Sequence, residues 1–233
     1  MNPRKPAKKA KPAAKAKPKA TLKGDNTKFV KKMSTSSKEY LKRQSNDPYV
    51  RQAKADGYAS RAAFKILEIH AKTPIFKKGQ CIVDLGAAPG GWTQVAVQHG
   101  CRVVACDILP VISLPEVTFI HGDFTTEDVW NAVKRAVPVG GADAVISDMA
   151  PNTSGHMATD HLRSMGLAEL ARDSAFELLK KGGHFVTKIF MGGEEKAFSE
   201  TLRPRFTKVA FIKPPASRVD SREIFIVATG FKG

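Results

Sequence analysis

The sequence predicts an α/β protein built on a mostly parallel, seven-stranded sheet with helices on both faces. Three observations predict it. From residue 80 onward, short apolar runs alternate with helix-length amphipathic segments, the pattern of parallel strands joined by crossover helices. Glycine and aspartate cluster where those runs end, as in Asp84–Gly91 and Gly122-Asp123. Such a sheet binds ligands at the carboxyl ends of its strands. The last two apolar runs, 208–213 and 223–229, have no helix between them and read as an antiparallel hairpin at one side of the sheet.

Taken in order, residues 1–20 hold seven Lys, one Arg, four Pro, six Ala and no acid. Like charges and prolines oppose collapse, so residues 1–37 are expected to form a disordered basic tail. Residues 38–233 are then the folded domain, with a helical segment over 38–79 and the sheet over 80–233. In the first part Tyr40, Leu41, Tyr49 and Val50 are scattered anchors. A helix is expected from Ser60, its cap, to His70, with Ala62, Ala63, Phe64, Ile66, Leu67 and Ile69 apolar. Lys77-Lys78-Gly79 turns the chain into the first strand. Strands are expected at 80–85, 101–106, 117–121, 142–147, 184–190, 208–213 and 223–229, and helices at 91–98, 126–136, 162–181 and 195–203. The helix 162–181 places Leu167, Leu170, Ala171, Ser174 and Leu178 on one face, and Gly182-Gly183 is expected to stop it.

The 233 residues are 42% apolar, enough for one domain with a real core. The formal net charge is +16, which favours an anionic partner, usually nucleic acid. The charge is uneven. Residues 1–43 hold 15 basic and 2 acidic residues, and residues 44–233 hold 23 and 20. The folded part is nearly balanced, so any basic face on it must come from local clustering. The tail would add salt-dependent affinity for a polyphosphate. Cys81, Cys101 and Cys106 lie in or beside strands, show no paired CxxC spacing, and read as buried free thiols of a reducing compartment, not metal ligands. No apolar run approaches the ~18 residues of a membrane span, and no signal-peptide core follows the basic start.

The first strand runs into Asp84-Leu85-Gly86-Ala87-Ala88-Pro89-Gly90-Gly91-Trp92. Its glycines permit a tight turn and close approach of backbone to a ligand. The spacing is not Gly-x-Gly-x-x-Gly, and no Gly-Lys-Ser/Thr follows, so triphosphate hydrolysis has no support. Asp107, at the second strand tip, is placed to accept hydrogen bonds from a ribose diol, and Asp123, at the third, to meet an adenine amino group. Asp84 sits just inside the loop, to hold its backbone or face a cationic cofactor end. Asp148 ends the fourth strand, before a polar stretch 153–160 that reads as a loop over the site. Lys188 is the unusual residue, a lysine inside a central strand, where an ammonium must reach solvent or find a partner. It reads either as snorkelling or as a lysine tuned by Asp148 on the neighbouring strand tip. Lys65, on the helix before the first strand, and Glu223, opening the last strand, join them if the sheet closes as drawn.

Taken together, these segments resemble the bacterial FtsJ/RrmJ family of large-subunit ribosomal RNA 2′-O-ribose methyltransferases. The matching segments are Ser60–Lys65, Asp84–Trp92, Ala105–Asp107, Gly122–Phe124, Ser147–Asn152 with Ser154-Gly155, Val186–Phe190, Ser221–Glu223 and Ile226–Gly230. They run in order over about residues 38–233. The resemblance implies a Rossmann-like class I methyltransferase fold and S-adenosylmethionine as cofactor. It implies a catalytic set of Lys65, Asp148, Lys188 and Glu223, with Lys188 as general base, and cofactor contacts at Gly90, Trp92, Asp107, Asp123 and Asp148. Asp84, Gly86 and Gly91 are expected to join them on the loop's own pattern. It further implies methyl transfer to the 2′-hydroxyl of a uridine in 23S ribosomal RNA within the large subunit. A cytoplasmic, monomeric protein is expected. RNA contact is expected from Arg61, Lys213, Arg218 and Arg222, which flank the site and can pair with phosphates. The long Lys/Ala/Pro tail is the departure from the family pattern.

Rival chemistries fit less well. None of the three cysteines follows a proline, as a cytosine-C5 nucleophile typically does, and Asp148-Met149-Ala150-Pro151 is not the Asn/Asp-Pro-Pro-aromatic turn of amino methylation. Ribose methylation of tRNA shares the same four residue types and stays open, as does a non-catalytic RNA-binding role in ribosome assembly.

Overall fold

The computed structural model describes residues 47–152 and 154–233. The expected tail over 1–37, and the anchors Tyr40 and Leu41, lie outside the described residues. The element order is α1 (Pro48–Ala55), α2 (Ala62–Lys72), β1 (Cys81–Leu85), α3 (Gly91–Gln98), β2 (Arg102–Asp107), β3 (Val117–His121), α4 (Glu127–Ala136), β4 (Ala142–Ser147), α5 (Met157–Leu178), β5 (Leu179–Phe190), α6 (Glu195–Leu202), β6 (Phe206–Ile212) and β7 (Glu223–Phe231). The seven strands form one sheet in the order β3-β2-β1-β4-β5-β7-β6. β1 to β5 run parallel, while β7 is antiparallel to both β5 and β6. The expected hairpin is present, with β7 inserted between β5 and the edge strand β6.

The two-residue period of a strand divides the sheet's side chains between two cores. Val83, Leu85, Val104, Cys106, Val145, Phe185, Ile189 and Ile226 face α4, α5 and α6. Ile82, Val103, Ala105, Ala144, Ile146, Val186, Phe225 and Val227 face α2 and α3, meeting Ala63, Ile66, Ile69, Trp92, Val95 and Ala96. Continued to the strand tips, this second register carries Asp84, Asp107, Lys188 and Glu223 onto the α2/α3 side. The charged residues singled out in the sequence thus share a face and an end of the sheet. The three cysteines are buried free thiols.

Three local expectations are corrected. Ser60 does not cap α2; Arg61 stands at the N-cap position, and the Ser60 hydroxyl is buried without a partner where the backbone turns against Gly91. The long helix α5 starts at Met157 and ends at Leu178, four residues short of Gly182, because Leu179 already pairs with Ala142 of β4. Gly182, at φ +85°, makes a turn inside the irregular start of β5. Ala171, Ser174 and Leu178 of the expected face are buried, together with Ser164, Met165, Ala168 and Ala175, while Leu170 faces solvent.

Candidate active site

At the ligand-binding end, the turn after β1 is held by its neighbour. Gly86 and Ala87 donate their N–H groups to the Cys106 carbonyl of β2, at 2.9 and 3.2 Å. Gly90, at φ +110°, is the N-cap of α3, a left-handed conformation that favours glycine. Gly86 is also left-handed, at φ +72°, and a Cβ there would overlap Met149, which follows Asp148 at the tip of β4. Trp92 is buried and donates to the Ala62 carbonyl at 2.9 Å, binding the loop to α2. Gly91 packs against Ser60.

The carboxylates of this end differ in their commitments. Asp107 accepts from the backbone of Ala88 at 2.8 Å and of Leu109 at 2.7 Å, so it shapes the loop it faces. Asp123 lies two residues beyond β3, exposed. It accepts from the Thr125 N–H and hydroxyl at 2.9 and 2.7 Å, which holds its carboxyl below the ordinary range. Asp84 is fully buried and accepts one hydrogen bond from the Thr93 hydroxyl at 2.7 Å. Burial, opposed by that bond and aided by the negative charges of Asp148 and Asp107, pushes its carboxyl up to about 7.

Beside them, α2, β4, β5 and β7 bring together four charges of alternating sign. Glu223 Oε2 lies 3.0 Å from Lys65 Nζ, Lys65 Nζ lies 3.6 Å from Asp148 Oδ2, and Lys188 Nζ lies 2.9 Å from Asp148 Oδ1. Lys188 also donates to the Asp148 backbone carbonyl at 2.6 Å, so its ammonium does not snorkel to open solvent. Lys65 and Lys188 are buried, and Lys65 stands 5.6 Å from the ring centre of Phe225, the residue paired with Lys188 across β5 and β7. For Asp148, burial raises the carboxyl, but the Lys188 and Lys65 ammoniums outweigh it and hold it below the usual carboxylate range.

The family match agrees with this geometry. An FtsJ-like methyltransferase family model matches residues 58–231. The chain belongs to that family. Its curated relatives include a ribosomal RNA large subunit methyltransferase E from Acidiphilium cryptum, 52% identical over 88% of this chain and 91% of the relative. A protein of the same description from Granulibacter bethesdensis is 50% identical over 88% of this chain and 89% of its own length. Among solved structures, a chain assigned as a ribosomal RNA methyltransferase from Plasmodium falciparum is similar with a TM-score of 0.68 at 28% identity. It covers 76% of this chain and 100% of that one.

FtsJ-like enzymes use S-adenosylmethionine, and the site fits it on its own chemistry. A buried Asp84 whose charge is disfavoured by two neighbouring carboxylates is a donor set in need of a cation, and this cofactor carries a sulfonium and an ammonium. Asp107 and Asp123 retain acceptor capacity for hydroxyl and amino groups, since an ionised carboxylate offers about four lone-pair sites.

The four residues expected to contact RNA are less free than the sequence implies. Arg61 pairs with Asp47 at 2.6 Å, donates to the Ala216 carbonyl, and lies over the Tyr49 ring. Arg218 reaches the same Asp47 oxygen at 3.4 Å. Lys213 donates to the Ser221 carbonyl at 2.7 Å, closing the turn before β7. Arg222 donates to the carbonyls of Met191 and Met157, at 3.4 and 3.3 Å, tying together the segments that follow β5 and β4.

Sequence reasoning missed the residues that hold those segments. Asp160, in the first turn of α5, accepts from the Ser154 N–H at 2.7 Å, the Ser154 hydroxyl at 2.8 Å and the Gly155 N–H at 3.2 Å. His161 sits between the Phe190 carbonyl and the Glu194 carboxylate, and Gly192 packs on its ring. Glu195 accepts from the N–H groups of Gly192 and Gly193. The only sequence signal for these was an acid a few residues after a Ser-Gly or Gly-Gly pair. Asp47 was missed too, although Asp before Pro48 is a helix-start signal.

Proposed function

We propose that this FtsJ-like methyltransferase transfers the methyl group of S-adenosylmethionine to the 2′-hydroxyl of a uridine in 23S ribosomal RNA, within the large ribosomal subunit. The single observation that carries the reading is the continuous Glu223–Lys65–Asp148–Lys188 chain of charges at one end of the sheet, beside a carboxylate-lined loop. When bound, the cofactor supplies a methyl on a sulfonium, already activated for displacement. The protein must therefore align the ribose hydroxyl and remove its proton. Lys188 is the candidate base: its nitrogen is fixed by the side chain and the backbone of Asp148, and once its ammonium has given a proton to solvent the neutral amine takes the hydroxyl proton. Asp148 sets the position of Lys188, and Glu223 anchors Lys65 against it. Asp84, Gly86, Gly90, Gly91, Trp92, Asp107 and Asp123 form the cofactor side.

The relatives' description as ribosomal RNA large subunit enzymes favours this substrate over tRNA. None of the described helices is long and apolar enough to cross a membrane. A monomeric enzyme meeting assembling subunits in the cytoplasm is the simplest setting.

The test is labelled methyl transfer into large subunits from a strain lacking the modification, with free ribosomal RNA and tRNA in parallel. Label is expected in subunits as a 2′-O-methyl nucleoside, and Lys188→Ala should lower kcat by at least about a hundredfold. Label in tRNA alone would overturn the substrate. No label in any RNA despite intact cofactor binding would overturn the reaction.

A further inference from the structure

The described residues 47–233 hold 23 basic and 20 acidic side chains, yet these are not evenly mixed. The end of the sheet opposite the active site is where β1, β2, β4 and β5 begin. Lys77 and Lys78 lie in the turn entering β1, and Arg102 opens β2 opposite Cys81. Hydrogen bonds from Gly79 N to the Gly100 carbonyl and from Arg102 N to the Gln80 carbonyl fasten these segments side by side. Lys180 and Lys181 occupy the irregular start of β5, beside the start of β4. In the adjoining rows, Thr229 of β7 pairs with both His184 of β5 and Lys208 of β6, so Lys208 extends the same edge. All six basic side chains are exposed.

The acids at this edge do not cancel them. Asp143 is engaged, pairing with Lys180 at 2.7 Å and accepting from the Cys81 N–H at 2.9 Å. Glu116, before β3, is the other acid of these segments. Among the described residues, Lys77, Lys78, Arg102, Lys181 and Lys208 have no carboxylate within salt-bridge distance. At the active-site end the reverse holds. Lys65 and Lys188 are neutralised by Asp148 and Glu223, and Arg61 and Arg218 share Asp47.

We propose that this edge is a second RNA-contact surface, which takes the phosphate backbone of a segment of large-subunit ribosomal RNA separate from the one being methylated. The inference rests on the ribosomal RNA reading above. A strand of five or six residues spans about 17–20 Å, so the edge stands that far from the reacting groups. One nucleotide strand at the catalytic site does not cover it, whereas a large folded RNA presents several backbones at once. Unpaired, exposed Lys and Arg without interleaved aromatics fit phosphate contact rather than base readout.

The experiment uses the full chain with K77Q/K78Q/R102Q/K181Q. Lys180 is left in place because it neutralises Asp143. Binding to large subunits is measured across a salt series, and methylation kinetics are run beside it. The slope of log affinity against log salt should become shallower by about 3, as loss of four phosphate contacts requires. KM for subunits should rise about tenfold or more at physiological salt. kcat at saturation and cofactor affinity should stay within twofold of wild type, and K77R/K78R/R102K/K181R should restore both slope and KM. Unchanged slope and KM would overturn the proposal. A raised KM with an unchanged slope would overturn it too, and would point to a protein contact. Binding is read without turnover, so a wild-type enzyme that bound subunits but failed to methylate them would refute the proposed function and leave this test intact.

Discussion

Two carboxyls about one strand apart titrate in opposite directions because only one of them has cations beside it. Asp148 is held ionised by Lys188 and Lys65, and its carboxyl lies below the ordinary range. Its contribution to stability is present above the unfolded carboxyl's pKa and is lost as pH falls through the folded value. Asp148→Asn leaves the Lys188 ammonium without its counterion, while Lys65 keeps Glu223, and should cost about 3–5 kcal/mol near neutral pH. Asp84 behaves oppositely. Burial and its neighbours raise it to about 7, so the folded state keeps a proton that the unfolded chain releases near 4. The resulting stability is full below pH ~4 and is lost as pH rises toward 7. Asp84→Asn keeps an acceptor for Thr93 and removes the charge. It should therefore stabilise the enzyme at pH 8 by on the order of 2–4 kcal/mol, with little effect at pH 4. Thermal melts of the two variants at pH 4 and pH 8 decide it. An Asp84→Asn melt no higher than wild type at pH 8 would sink this account of the site. The same substitution should weaken S-adenosylmethionine binding, since the carboxylate's strain is relieved when a cation arrives.

At the scale of elements, most of the fold was legible because its strands are short runs that pair on both sides. Such runs are mostly apolar, and Ile82-Val83, Val103–Cys106 and Ala144–Ile146 are apolar throughout. The boundaries of α5 were not legible. Gly182-Gly183 reads as a helix stop, yet pairing of Leu179 with Ala142 ends the helix four residues before Gly182, a tertiary contact with no local signature. Half of the site was legible for a related reason. Asp84, Asp107, Asp148 and Lys188 stand at strand tips, where a charge interrupts an apolar run. Asp160, His161 and Arg222 act across loops, and spacing alone does not reveal that. They also make a prediction at their own scale. Arg222 bridges the carbonyls of Met157 and Met191, and Asp160 caps the Ser154–Gly155 turn. Arg222→Lys keeps the charge but cannot span both carbonyls. If Arg222 positions the loops, Arg222→Lys and Asp160→Asn should each lower kcat about tenfold or more, and backbone amides of Ser154 and Gly155 should exchange faster in the second. If Arg222 serves only as a phosphate contact, Arg222→Lys should leave kcat unchanged and shift KM alone.

At the scale of the whole molecule, charge is divided between a nearly neutral stretch over residues 44–233 and a strongly basic N-terminal one. Residues 1–43 carry 15 of the 38 Lys and Arg and only 2 of the 22 Asp and Glu. The proposed catalytic groups need none of them, since every member of the Glu223–Lys65–Asp148–Lys188 chain has its partner within the described residues. The basic stretch should therefore act on encounter and affinity, not on chemistry. Replacing the seven lysines of residues 1–20 with glutamine should flatten the salt dependence of subunit binding by up to about 5 in slope, if each meets a phosphate, and raise KM. kcat with saturating subunits should stay within twofold. At low salt the variant should lose most, and at high salt the two enzymes should converge, because screening removes the advantage the lysines confer. A fall in kcat at saturating subunits and cofactor would mean that the stretch enters the reacting site. Combined with the four-site edge variant, the slopes should add, because two surfaces that bind separate phosphates without sharing partners contribute independently. A combined loss clearly below the sum would mean that stretch and edge grip the same RNA.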